Sequence, residues 1–172
     1  MNNIKKFIDG LEINDIPWGR MITAYGTAEN YPEYLEILDS MQNIEEMDKA
    51  LDGLSEFEHQ STMFPPAPFA LVFLARTYRK ALNTDTPEAE WLVNELKNSF
   101  DYYNEVCEDA ESMEHAEPLQ NFQDMLDRKY LLSEEPDEEE LEEVFENFIP
   151  DDLFYSLYYY SGMIISDILG KN

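Results

Sequence analysis

The chain has 172 residues and carries 38 Asp and Glu against 11 Lys and Arg, a formal net charge of −27. Residues 101–152 hold 20 of the acids against only Arg128 and Lys129, which leaves a net of −9 on the remaining residues. This balance argues against nucleic acid as a partner, because phosphate contacts need clustered Lys and Arg. The 44% apolar and 13% aromatic content excludes a disordered acidic tail.

In chain order, the start from Met1 to Gly10 has Lys5 and Lys6 but no apolar run of signal-peptide length before Asp9. Pro32 opens a helix through Pro-Glu-Tyr-Leu-Glu-Ile-Leu, and Pro66 with Pro68 opens another through Phe69, Val72, Phe73 and Arg76. Arg76, Arg79 and Lys80 fall in its last turns, where cations complement the helix dipole. Thr86-Pro87-Glu88 reads as an N-cap, a proline at the first helical position and an acid in the first turn. Leu92, Leu96, Ser99, Tyr103 and Val106 then form one stripe of a long helix.

Pro118 is expected to begin a helix carrying Phe122, Met125, Leu126 and Leu132. Pro136 starts a short acidic helix with a thin apolar face of Leu141, Val144, Phe145 and Phe148. Pro150 starts the last, where Phe154, Leu157, Tyr158, Ser161, Ile165 and Ile168 share a face and Gly170 ends it. The tract 153–169 is too short and too polar to span a bilayer. Period-two alternation is nearly absent, so the expected fold is all-α: one domain over residues 1–172, with about eight helices in an α/α solenoid or an irregular bundle.

Within residues 16–75 a series of short motifs comes in order: Ile16-Pro17-Trp18-Gly19-Arg20, Ala24-Tyr25-Gly26-Thr27-Ala28, Pro32, Leu35 and Leu38. Ala50-Leu51, Leu54, His59-Gln60-Ser61-Thr62, Pro66-Ala67 and Phe69 follow. This order resembles a group of bacterial HEAT-like repeat proteins, over about a third of the chain. The resemblance implies a HEAT-like N-terminal part at 14–82, followed by acidic helices at 86–172, in a protein that binds other macromolecules. Several proteins of that group are immunity proteins beside bacterial toxins. The motif residues Trp18, Tyr25, Gly26, His59 and Gln60 also have a plain structural reading. Gly26 can end a helix in a conformation closed to other residues, Trp18 and Tyr25 lie seven apart on one helical side, and His59 can satisfy the last carbonyls of a helix.

Catalytic constellations are missing. Two histidines, His59 and His115, show no ligand spacing with the single Cys107 or with each other, so no metal or cofactor is expected. Glu105, Glu108 and Asp109 flank Cys107 and blunt its nucleophilicity, and a lone cysteine accords with a reducing, cytoplasmic compartment. His115 is expected in a solvated loop. The run from Glu134 to Glu143 is either a solvated face or a surface that meets a cationic partner; for a calcium site it lacks the alternating ligands and turn glycine of an EF-hand loop. Tyr102 and Tyr103, Phe145 and Phe148, and Phe154 and Tyr155 supply rings beside the acids. Charge steers an encounter and rings supply affinity. The expectation is therefore a non-catalytic module for a basic protein partner, a toxin domain in the leading reading, with no nucleic-acid or membrane partner. Tyr102, Asp137, Glu138, Glu139, Glu142, Glu143 and Glu146 are the expected contacts. A DNA mimic or a general interaction scaffold is the alternative, and the oligomeric state is left open.

Overall fold

The computed structural model describes residues 2–147 and 149–170. The protein is all-α. Its seven helices among the described residues are α1 (Asn2–Gly10), α2 (Tyr31–Ser40), α3 (Ile44–Leu54), α4 (Ala67–Leu82), α5 (Pro87–Ser112), α6 (Glu138–Asn147) and α7 (Asp151–Leu169). Five short 3-10 turns and one two-stranded hairpin, β1 (Glu58–His59) and β2 (Thr62–Met63), join them.

α4 explains the arrangement. Every residue from Ala67 to Ala75 is buried, so the first half of the helix is apolar all round and sits at the centre of the fold. α2, α5 and α7 pack on it, and α7 also packs along α5. The last helix thus returns to the middle of the chain instead of stacking on its predecessor, which makes the architecture an irregular bundle. In a solenoid each repeat touches only its neighbours. One cluster of buried side chains runs from Leu11 to Ile165.

The cations of α4 work differently from the expected support of their own helix end. Arg76 donates from Nη1 to the Leu11 carbonyl and from Nη2 to the Ile8 carbonyl, both at 2.7 Å, capping the end of α1. Lys80 donates to the Asp39 carbonyl and carboxylate at 2.9 Å, capping α2. Arg79 pairs with Asp167 near the end of α7 at 2.8 Å. Free carbonyls gather at the end of each helix, and α4 carries cations to the ends of its neighbours.

Thr86 caps α5 as expected, its Oγ1 accepting from the Ala89 amide. Gly170 at φ 68° ends α7. The segment after Pro118 is not a helix. It makes two 3-10 turns, Phe122–Leu126 and Arg128–Tyr130. Two side chains of α7 hold it instead: Ser156 Oγ accepts from the Leu119 amide at 2.8 Å, and the Tyr160 hydroxyl donates to the Leu119 carbonyl. Phe122 turns inward against Phe7, Phe69 and Tyr160, with ring centroids 6.0, 5.1 and 5.4 Å away. The buried face of α7 is correspondingly broader than the expected stripe and includes Tyr155 and Tyr160, because α4, α5 and this segment all press on it.

Burial sets the ionisation of the interior tyrosines. It is the main cause that pushes the Tyr160 hydroxyl up from 10.0 to about 12; Tyr130, only partly buried, is also raised to about 12, by desolvation first and then by its hydrogen bond to Asp152. Tyr31 and Tyr103 are raised as well, burial again coming first. An acid whose pKa rises on folding contributes stability that is intact below its unfolded value and lost as pH climbs through its folded value. The expected outcome is alkaline unfolding between pH 10.0 and about 12, with phenolate absorbance rising in step with the loss of helical circular dichroism. Full phenolate absorbance while the helices persist would contradict this coupling.

Candidate protein-binding face

Of the residues singled out by the repeat-like motifs, Tyr25 and His59 meet, whereas Trp18 packs elsewhere in the core. Trp18 lies in the 3-10 turn Trp18–Arg20, buried against Tyr31 and Phe73, and its Nε1 donates to the Ile13 carbonyl at 2.8 Å. Tyr25 stands at the tip of a tight turn closed by a bridge between Ile22 and Thr27, and 71% of it is exposed. Gly26 is not at positive φ, and a Cβ there would meet open space, so no helix-ending role falls to it. His59 lies on β1 and caps no helix; its ring meets Tyr25 edge-on at 5.4 Å.

Gln60 and Ser61, the two turn residues of the hairpin, have φ of 50° and 67°. Positive φ at both positions is what a two-residue hairpin asks for, and it normally recruits Asn and Gly. Here distant partners hold it. The Tyr158 hydroxyl of α7 donates to the Ser61 carbonyl at 2.7 Å and accepts from the Met63 amide at 3.2 Å, while Glu58 Oε1 accepts from the Ser61 amide at 2.8 Å. The same Glu58 oxygen accepts from the Tyr102 hydroxyl at 2.9 Å, so Tyr102 braces the hairpin rather than standing beside α6.

α6 brings the expected acids together. Glu138, Glu142 and Glu146 follow one another at intervals of four, as do Glu139 and Glu143, and all five are exposed together with Asp137 at the helix start. Asp137 Oδ1 accepts from the Glu140 amide at 2.9 Å, and no residue of α6 is buried. The helix is attached by Glu140, which accepts from the Ser133 amide at 2.7 Å and the Ser133 hydroxyl at 2.6 Å, and by Phe145, edge-on to Phe64 at 6.5 Å. Beneath it lies a cleft of about 310 Å³ lined by Arg20, Lys129, Tyr130, Glu140 and Glu143 among others. Among the described residues the salt bridges are Lys49–Glu45, Arg79–Asp167 and Lys80–Asp39, and none of them touches α6.

Several expected ring anchors are taken by the core. Tyr103 is buried against Phe57 and Tyr155 is buried in α7, whereas Tyr102 and Phe145 stay accessible. Phe148, the last residue of the expected apolar face of α6, lies outside the described residues. Cys107 is buried, and its thiol is pushed up to about 12, by burial first and by Glu108 second. Flanking charge is therefore the lesser cause of the raised pKa.

Sequence reasoning missed a second feature, a groove of about 710 Å³ between the end of α5, the loop after it, the start of α7 and the hairpin tip. Its signal in the sequence was faint: Phe154 and Tyr155 beside acids, and His115 in a segment expected to be solvated. His115 is exposed but ordered, stacked on Tyr155 at 3.5 Å with 8° between the planes, and its Nδ1 lies 2.8 Å from the Ala116 carbonyl.

Among the described residues, His, Cys, Asp and Glu form no group of three placed to hold a metal ion. No helix among them is long and apolar enough to cross a membrane. Comparison of the chain with protein-family models, with curated proteins and with solved structures gives no match.

Proposed function

We propose that this protein is a non-catalytic, cytoplasmic binding module, an immunity protein that neutralises a basic bacterial toxin domain by seating on it. The observation that carries the reading is α6. Its exposed Glu138, Glu139, Glu142, Glu143 and Glu146 enter no salt bridge among the described residues. Like charges one turn apart on a helix destabilise it by about 0.2–0.5 kcal/mol per pair. The dipole favours the first-turn acids Glu138 and Glu139 but not Glu142, Glu143 and Glu146, so a helix this crowded with like charge, which buries no residue, gains when a cationic surface arrives. A nuclease is the natural class of such a partner, because a cleft that holds phosphates is itself cationic.

The test is genetic and then biochemical. The variable C-terminal domain encoded by a large neighbouring gene is expected to arrest growth when expressed alone, to be harmless beside this chain, and to co-purify with it. Co-expression without protection would overturn the reading. Displacement of DNA from several unrelated DNA-binding proteins would replace it with a DNA mimic, which titrates such proteins broadly.

A further inference from the structure

We infer that the groove between α5 and α7 is the seat of an arginine-bearing segment of the partner, separate from the α6 acids. The inference rests on the reading of the protein as a binder of a basic protein, and it adds a second contact to that reading. The groove's volume of about 710 Å³ lies in the range of pockets that enclose a ligand or several side chains, roughly 300–1,000 Å³.

Its chemistry selects the occupant. Asp109, Glu114 and Asp151 line it and are all exposed, and no Lys or Arg lies among its lining residues. Buried Tyr155 and Tyr158 form the floor, with half-buried Phe154 edge-on to Tyr158 at 5.2 Å. Met113, 67% exposed, lies at the end of α5, and the exposed His115 stacks flat on Tyr155. A planar guanidinium suits both halves of this lining. Its forked donors match carboxylates, and its flat face suits the exposed His115 ring, which itself covers Tyr155. An apolar occupant would gain nothing from the three carboxylates. An anionic one would be repelled. A bare metal ion lacks ligands here, since the acids are not grouped to hold one.

The walls are preorganised. The hairpin side, Ser61 and Thr62, is held by the Tyr158 hydroxyl, and the loop side is pinned where Leu119 meets Ser156 and Tyr160. A groove with fixed walls loses less entropy on binding than a surface that must order itself.

The experiment uses the full chain and a short peptide of alternating glycine and arginine, with a citrulline version of the same length as its uncharged isostere. Dissociation constants are measured by calorimetry at low salt, and the His115 ring and Met113 methyl signals are followed by NMR. Asp109→Asn, Glu114→Gln and Asp151→Asn are combined in one variant. A second variant removes the same number of charges elsewhere, at Glu33→Gln, Glu36→Gln and Glu46→Gln, all exposed residues on α2 and α3. The expected result is about a tenfold loss of arginine-peptide affinity in the groove variant and less than about threefold in the other, the difference between local pairing and a screened distant field. Signals of Met113 and His115 are expected to move on addition of the arginine peptide only.

Equal losses in the two variants would overturn the groove while leaving a salt-sensitive acidic binder intact. Binding without movement of the Met113 and His115 signals would overturn it in the same way. Equal affinity for the citrulline peptide would overturn the cation preference of the groove, and protection by the intact chain against its toxin would still decide the broader reading independently.

Discussion

Phe122→Ala is expected to lower global stability by about 3–5 kcal/mol, the range for removing a fully buried ring and leaving a cavity. Phe122 has no exposed surface and touches rings from three other parts of the chain, Phe7 of α1, Phe69 of α4 and Tyr160 of α7. Its backbone is a 3-10 turn that cannot shift inward to fill the space, because Leu119 is fixed to α7 from both its amide and its carbonyl. Domains of this size lose roughly 2–4 °C of Tm per kcal/mol, so the midpoint should fall by about 6–20 °C. Thermal unfolding followed by circular dichroism reads the effect directly. Phe145→Ala, at a ring 38% exposed on α6, is the comparison and should cost less than about 1 kcal/mol. Similar losses at the two positions would mean that the irregular segment is a cover and not a wedge in the core.

The second large effect concerns the encounter with a basic partner. Steered association reaches about 10⁸–10⁹ M⁻¹s⁻¹ at low salt, against about 10⁵–10⁶ for uncharged surfaces. Raising ionic strength from about 0.01 M to 1 M shortens the Debye length from about 30 Å to about 3 Å, so the field of α6 no longer reaches an approaching protein. The association rate is therefore expected to fall by about 100-fold over that range, with the dissociation rate changing much less. Combining Glu142→Gln, Glu143→Gln and Glu146→Gln, which lie beyond the first turn of the helix, should lower the low-salt association rate several-fold without lowering Tm. These side chains enter no salt bridge among the described residues, and removing repulsion between them favours the helix. Stopped-flow kinetics with the cognate domain decides it. An association rate insensitive to salt would show that the acids of α6 do not steer.

How far the sequence revealed the molecule differs from segment to segment. α2, α4, α5 and α7 begin at or beside prolines that set the first helical turn, and both the Thr86 cap and the Gly170 stop act locally. Such signals are complete within a few residues, so they can be read without neighbours. Pro118 gave the same kind of signal and misled, because the backbone around Leu119 satisfies its hydrogen bonds on α7 rather than along its own turn. The hairpin was also hidden. Nothing in His59-Gln60-Ser61-Thr62 favours positive φ, and the group that holds it, the Tyr158 hydroxyl, lies almost a hundred residues away. The acids of α6 were legible because one helix carries them all. The groove was not, because its two sides come from α5 and α7, which only the bundle brings together.

By itself, then, the sequence determined the helical class, the principal helix starts and the concentration of negative charge, since composition, capping and periodicity act over one or two turns. Only the tertiary structure decided that α7 returns to α4 and α5, that α4 gives its cations to the ends of other helices, and that rings and carboxylates far apart in the chain share one groove. Those outcomes depend on which buried faces fit together and which free carbonyls need donors, and both are settled between segments rather than within them.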